Sequence, residues 1–120
     1  MHRILSEEIN SLTLPASFSI ERTAGIICIE MFDYNYDKMI CNLGLPVLLI
    51  DAPAPCFKEP LEADILLMDN QSNIYLFIQE MIQRGKTNIG FIGKHLHCQS
   101  FFERYTAYRQ AFLPKESDAW

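Results

Sequence analysis

The chain has 120 residues, of which 49% are hydrophobic and 21% are charged, a composition typical of a single folded domain and unlike that of a disordered segment. Its net charge of −5 and its ten scattered basic residues argue against DNA binding by this segment itself. Residues 1–10 lack a secretory signal, and no apolar run reaches the ~20 residues of a membrane span, so we expect no membrane association.

The first half of the chain alternates helical and strand patterns. Ser6, followed by two glutamates, predicts a short serine-capped helix that ends before Pro15. The run 25–29 is continuously apolar and rich in β-branched residues, which is typical of a strand covered on both faces in a parallel sheet. An amphipathic helix that Gly44 ends comes next, and a buried strand at 47–50 follows it.

The second half repeats this alternation after a linker. Residues 51–60 contain three prolines and cannot form regular structure. A strand is predicted at 65–68, and an apolar stripe over 74–82 predicts a helix that Gly85 ends. The apolar run 89–92 is typical of a further short buried strand.

The last predicted helix follows a polar loop at 93–99, and Pro114 ends it. Its aromatic residues recur at helical spacing, so we expect them to pack in the core, although one tyrosine could stack on a sugar ring. The order of the elements predicts an α/β architecture with a doubly wound parallel sheet. The aromatic stripe consists of Phe101, Tyr105, Tyr108 and Phe112.

The four cysteines bear on the cellular compartment. They share no C-x-x-C spacing, and two fall inside apolar periodic segments, where a reduced thiol acts as a small hydrophobic group. This pattern predicts a reducing, cytoplasmic setting. The four are Cys28, Cys41, Cys56 and Cys98.

Several segments resemble, in unbroken order, motifs of the LacI/GalR-type bacterial transcription regulators, over roughly residues 20–113. Each motif alone is weak, but together they follow the family's order. Residues 23–27 are similar to the family's "vDGiI", 43–51 to "giPvVliD", 68–70 to "vDN", 84–93 to "lGHrrIafiGG" and 100–111 to "S…R..Gy..Al".

The chain departs from the family's pattern at four places, which makes the ligand less predictable. Lys86 replaces a histidine, Lys94 and Ala107 replace glycines, and Thr23–Ala24 replaces a Val-Asp pair. The family also carries an N-terminal helix-turn-helix, an opening β-α-β segment and further elements after the last helix. The chain therefore resembles the middle of the family's effector-binding domain.

The resemblance implies a periplasmic-binding-protein-like type I fold, in which an effector lies between two lobes. Residues 1–52 would belong to the N-terminal lobe, 53–62 to a crossover linker and 63–120 to the C-terminal lobe. The implied function is sensing of a small-molecule effector, a sugar or sugar derivative, without a reaction, metal or cofactor. Operator DNA would be bound through a headpiece absent from these residues, and the parent protein would be a homodimer.

Two candidate ligand-binding residues lie on the last helix. The planar guanidinium of Arg104 suits paired hydroxyls or a carboxylate, and the resembled family uses the matching arginine on its effector. The alternative is a solvated surface arginine. Ser100 precedes it by four residues on the same helical face, and we expect it to contact the effector, to cap the helix, or both.

Three further candidates lie at the carboxyl ends of strands, where ligands of open parallel sheets bind. Asp69 and Asn70 are candidate ligand contacts, with a turn or capping role as the favoured alternative. Glu30 ends a predicted buried strand, and its alternative role is that of a solvated acidic residue.

The run 95–98, His-Leu-His-Cys, contains the residue types of zinc sites and of Cys–His nucleophiles. Because there is no second ligand cluster and no orienting third group, we expect neither a metal site nor a catalytic residue here. The alternative functions are a periplasmic sugar-binding protein of a transport system, which the cysteines disfavour, and an enzyme on a flavodoxin-like sheet, which lacks a catalytic constellation.

Overall fold

The computed structural model describes residues 1–113, in which we find four α-helices, one 3₁₀ turn and three strands. The chain is thus a mixed α/β protein, as the alternation of patterns predicted. Pro114, predicted to end the last helix, lies outside the described residues. The elements are α1 (Ser6–Ser11), the 3₁₀ turn (Ile20–Arg22), β1 (Ile26–Ile29), α2 (Tyr34–Cys41), β2 (Val47–Ile50), β3 (Asp64–Leu66), α3 (Ser72–Gln83) and α4 (Gln99–Ala111).

The three strands form one parallel sheet in the order β1–β2–β3. Ile26 lies opposite Val47, and Leu49 lies opposite Ile65. The prediction of parallel strands is confirmed. Residues 64–66, which the predicted boundaries assign to a second lobe, pair with β2 in this sheet, whereas the division into two lobes stays a prediction.

The main hydrophobic core lies between α2 and one face of the sheet. Asp33 starts α2 by accepting a hydrogen bond from the Tyr36 amide at 2.9 Å, and Gly44, with φ of 85°, turns the chain away after it. Because Tyr36 and Ile40 lie one turn apart, they face the sheet together. The buried cluster consists of Cys28, Tyr36, Ile40, Val47 and Leu49.

The prediction that β1 is covered on both faces is wrong. Ile27 and Ile29 are 65% and 66% exposed, whereas Cys28 between them is buried. Successive side chains of a strand point to opposite faces, and α2 covers the face that holds Cys28. The other face, called the open sheet face below, comprises Ile27, Ile29, Leu48, Ile50, Asp64 and Leu66.

Residues 89–92 do not form the predicted buried strand, and Ile92 is fully exposed. A strand needs a neighbouring strand to pair its N–H and C=O groups, and no strand among residues 1–113 pairs with this segment. The carbonyl of Ile89 instead accepts a hydrogen bond of 2.6 Å from the Tyr108 hydroxyl, and the ring of Phe91 packs on that of Tyr108 at 5.4 Å.

The ends of two helices show how local sequence sets helix boundaries. Gly85 has φ of 79° and ends α3, and Lys86 then donates to the carbonyl of Met81 at 2.9 Å, which closes a Schellman motif. At α1 the predicted serine cap is wrong, because Ser6 is the first helical residue. The N-cap residue is Leu5, and its amide donates a hydrogen bond of 3.0 Å to the carboxylate of Glu8.

The described chain is elongated. Its extents are 59 × 25 × 23 Å and its radius of gyration is 18.8 Å, against about 13 Å for a compact domain of this length. The α3–α4 pair joins the sheet where β2 ends, since the Gln99 amide donates to the carbonyl of Ala52 at 2.8 Å. This junction places the start of α4 beside the carboxyl ends of the strands.

Candidate functional site

A cavity of about 440 Å³ lies at the junction between the sheet and α4. We call it the strand-end cavity, because Ile29 and Ile50 at the carboxyl ends of β1 and β2 form its apolar floor. Ligands of open parallel sheets bind at this edge. The remaining lining residues are Glu30, Phe32, Asp51, His97, Cys98 and Phe101.

Glu30 follows β1 and Asp51 follows β2, and both acidic residues line the cavity. Glu30 has φ of 56° and Asp51 has φ of 66°, so both adopt the left-handed backbone conformation that residues other than glycine avoid. Because Ile29 lies opposite Ile50, the two acidic residues are adjacent across the sheet edge. The sharp turns after both strands therefore present two neighbouring carboxylates to the same cavity.

Asp51 also holds the start of α4 against the sheet. Its Oδ1 accepts hydrogen bonds from the amides of Ser100 at 3.1 Å and Ala52 at 2.8 Å, whereas the N-cap residue Cys98 makes no side-chain cap. Partial burial opposes the charge of Asp51, but the hydrogen bonds from Ser100 and Ala52 outweigh this effect, so the pKa of its carboxyl lies below its ordinary value. Asp51 is thus a charged cap supplied from another element.

Ser100 and Asn70, both predicted as ligand contacts, meet in a buried network. They are 7% and 5% exposed, and Asn70 Nδ2 donates to Ser100 Oγ at 3.1 Å and to Glu103 Oε1 at 3.2 Å. Gln99 Nε2 donates to the other oxygen of Glu103 at 3.1 Å. Neither predicted residue lines the strand-end cavity, and both fix the segment after β3 to α4.

Asp69 caps α3. Its Oδ1 accepts hydrogen bonds from the amides of Gln71 at 3.1 Å and Ser72 at 3.0 Å. Hydrogen bonding from Ser72 lowers the pKa of the Asp69 carboxyl, which stays charged at the helix N-terminus. This is the turn role that we expected for Asp69 as the favoured alternative to ligand contact.

Arg104 lies one helical turn beyond the cavity lining. It is half-buried, and its Cζ lies 5.6 Å from the ring centroid of Phe101, which does line the cavity. Within residues 1–113, the Arg104 side chain makes no hydrogen bond and no ion pair, and its guanidinium faces the ring of Phe101. Its donors are therefore unused, and ligand contact stays a prediction.

The residues that sequence reasoning missed are Asp51 and the aromatic walls. Asp51 follows a buried strand just as Glu30 does, and the rule that selected Glu30 also selects it. His97 packs edge-on against Phe32 at 5.2 Å and tilted against Phe101 at 5.0 Å between centroids. No sequence spacing links these three rings, because they come from separate segments.

Cys98 is the thiol that lines the cavity. Burial raises the pKa of the Cys98 thiol, so its nucleophilic thiolate form is disfavoured. In residues 1–113, no three His, Cys, Asp or Glu side chains come close enough together to hold a metal ion. The same residues include no helix with the length and apolar character needed to cross a bilayer.

The fold and the cavity define the chain as an α/β protein with a small-molecule-sized cavity beyond its parallel strands. No protein-family model, curated protein or solved structure matches the chain. The functional argument therefore rests on the residues themselves.

Proposed function

We propose that the chain is the effector-sensing part of a LacI/GalR-type transcription regulator with a periplasmic-binding-protein-like type I fold. A sugar or sugar derivative binds in the strand-end cavity, and no reaction follows. The observation that carries this proposal is the cavity itself, which lies between the strand ends and the start of α4. Operator DNA is bound by a separate headpiece of a homodimeric parent protein.

The position of the cavity supports a sensing role because its walls come from two parts of the chain. Glu30 and Ile50 belong to the sheet side, whereas His97 and Phe101 belong to α4 and the loop before it. A ligand that contacts both sides favours one arrangement of α4 relative to the sheet. Differential binding to two arrangements is what an allosteric effector requires.

The chemistry of the walls supports a polar ligand with an apolar face. Glu30 offers carboxylate oxygens to ligand donors, and Phe32 and Phe101 offer flat apolar surfaces of the kind that pack on sugar rings. Arg104 adds donors next to Phe101. Ser100 and Asn70 act through the network that holds α4 in place.

The free cysteines support a cytoplasmic protein. All four thiols are unpaired, and all lie within the described residues 1–113. Cys28 and Cys98 are buried, and Cys56 is exposed. Exposed free thiols are retained in reducing compartments, which disfavours the periplasmic alternative.

The test is thermal unfolding of residues 1–120 against a panel of sugars, with Arg104→Ala and Glu30→Gln beside the wild type. A ligand at a hundred times its Kd adds about 2.7 kcal/mol, which raises the midpoint by roughly 10 to 20 °C. We expect one compound to stabilise the wild type and both variants to lose most of the shift.

Arg22→Ala is the matched control, because Arg22 is exposed in the 3₁₀ turn and does not line the cavity. It should retain the full shift. A panel in which no compound stabilises the wild type would remove the sugar assignment. A shift that survives in both cavity variants would move the binding site elsewhere.

A further inference from the structure

The polar atoms that line the strand-end cavity are mostly hydrogen-bond acceptors. Glu30 and Asp51 are carboxylates, and His97, when neutral, offers one ring nitrogen as an acceptor and one N–H as a donor. No lysine or arginine lines this cavity. A ligand therefore meets oxygen and nitrogen lone pairs, and it must bring donors of its own.

The start of α4 does not compensate for this shortage of donors. A helix N-terminus commonly binds anions through its free amides, but here the amide of Gln99 donates to Ala52 and that of Ser100 donates to Asp51. The chain's own acceptors thus occupy the first donors of the helix. A phosphate or carboxylate in the cavity would face Glu30 and Asp51 without these partners.

Three rings surround the same space. The rings of Phe32, His97 and Phe101 line the cavity. The ring centroid of His97 lies 5.2 Å from that of Phe32 and 5.0 Å from that of Phe101. The face of an aromatic ring carries partial negative charge and attracts cations. Arg104 already illustrates this at the outer side, where its guanidinium approaches the ring of Phe101 at 5.6 Å.

We propose that the ligand of the strand-end cavity carries a positively charged nitrogen, as a primary or quaternary ammonium group. The ammonium group lies against Phe32, because the ring of Phe101 already faces the guanidinium of Arg104. Glu30 is the principal counter-charge, because Asp51 is already engaged with α4. This inference rests on the proposed sensing function and narrows its ligand from sugars in general to amines and amino sugars. Sugar phosphates and sugar acids are excluded.

The test compares two probes that differ in charge alone. Choline carries a quaternary ammonium, and 3,3-dimethylbutan-1-ol has the same shape with carbon in place of nitrogen. Isothermal titration of residues 1–120 should give tighter binding for choline, by between about twofold and 30-fold, the range expected of cation–π contacts. Choline binding should weaken between low and physiological ionic strength, while the neutral probe should not respond.

Two variants test the residues that hold the charge. Glu30→Gln removes the counter-charge, and Phe32→Leu removes a ring face but keeps an apolar wall. Each should bring the affinity for choline close to that for the neutral probe. Glu7→Gln and Phe57→Leu make the same substitutions at exposed positions outside the cavity lining and should retain the preference.

The outcomes separate this inference from the proposed function. Equal binding of the two probes, or a preference that survives in Glu30→Gln and Phe32→Leu, overturns the charged-ligand inference. If neutral sugars then stabilise the wild type and not Glu30→Gln, sensing at this cavity stands with a neutral ligand. If choline, its neutral analogue and every sugar fail to bind, both proposals fall.

Discussion

Asp37 lies on the buried side of α2 and has no exposed surface. Neither of its carboxylate oxygens has a hydrogen-bond partner among residues 1–113. Burial, and secondarily the charge of Asp33, raises the pKa of Asp37 to about 7. Burial likewise raises the pKa of Cys28 to about 11, with Asp37 as a smaller cause, so this neighbour stays protonated and neutral beside Asp37.

Asp37→Asn should stabilise the chain at neutral and alkaline pH. The pKa of Asp37 rises from 3.8 in the unfolded chain to about 7 on folding, so the folded state binds an extra proton between these values. The contribution of Asp37 to stability is therefore fully present below about pH 4, is lost as the pH rises towards 7, and changes little above pH 7. Above pH 7 the variant should gain up to about 4 kcal/mol.

Urea unfolding across this pH range measures the effect. Asp64→Asn is the control, because Asp64 is exposed at the start of β3 and its neutralisation should leave the slope unchanged. If Asp37→Asn retains the full pH dependence, the slope belongs to another group. A variant less stable than the wild type above pH 7 would mean that the carboxylate has a buried partner.

The burial of Asp37 was not predictable from the apolar pattern of α2. Tyr36 and Ile40 predict which side of the helix faces the sheet, and that prediction is confirmed. Asp37 immediately follows Tyr36 and precedes Ile40 by three residues, so it lies on the margin of this side. Whether a marginal position is solvated depends on what packs beside it, and the helical period carries no information about that.

At the scale of secondary structure, the Schellman motif that ends α3 requires the left-handed backbone conformation of Gly85. A Cβ at Gly85 would meet no atom within 4 Å, so substitution there is limited by the backbone alone. Gly85→Ala should cost about 1 kcal/mol, because a residue with a Cβ avoids the left-handed conformation. The expected fall in Tm is about 4 to 8 °C, measured by circular dichroism.

Gly90→Ala is the control for this prediction. Gly90 also has nothing within 4 Å of a built Cβ, and its φ lies outside the left-handed region. Alanine there should leave Tm unchanged or raise it slightly by restricting the unfolded chain. An equal fall in Tm in both variants would mean that any substitution in residues 85–90 destabilises the chain. The left-handed conformation of Gly85 would then not explain the loss.

Helices were predicted more completely than strands because they satisfy their hydrogen bonds locally. The period of apolar residues and the glycines at 44 and 85 mark α2 and α3 within the sequence itself. The run 89–92 has the composition of a strand, but a strand exists only beside another strand. Its composition could not reveal that residues 1–113 provide no such neighbour.

The residues of the candidate site likewise fall into two groups, those that local sequence predicts and those that only tertiary contacts bring together. Glu30 was predictable from its place after a strand, and Asp51 follows from the same rule. Phe32, His97 and Phe101 come together only through the turn after β1 and the docking of α4 on Ala52. That docking depends on Asp51 as a cap supplied from another element, which no local pattern encodes.

At the scale of the whole molecule, the chain exposes more surface than a compact monomer. Its accessible area is 9141 Å², whereas a compact protein of 13.9 kDa exposes about 6,700 Å². The excess, about 2,400 Å², exceeds the roughly 800 Å² that each partner buries in a standard interface. Part of it is apolar, since Ile27, Ile29 and Leu66 on the open sheet face are more than half exposed.

The open sheet face should therefore mediate self-association of residues 1–120. A two-fold dimer that stacks the Ile27 and Leu48 end of this face on its own copy buries apolar side chains from both chains and leaves Ile29 and Ile50 to the strand-end cavity. Sedimentation equilibrium should show a dimer that dissociates on dilution. Ile27→Glu places a charge within this contact and should shift the protein to monomer.

Leu76→Glu is the matched control, since Leu76 on α3 is 63% exposed and lies away from the sheet. If Ile27→Glu abolishes the dimer and Leu76→Glu does not, the open sheet face is the contact. If only Leu76→Glu does so, association runs through α3 instead. A wild type that stays monomeric at high concentration would mean that the open sheet face tolerates solvent, because the apolar area it exposes is too small to offset the entropy lost on association.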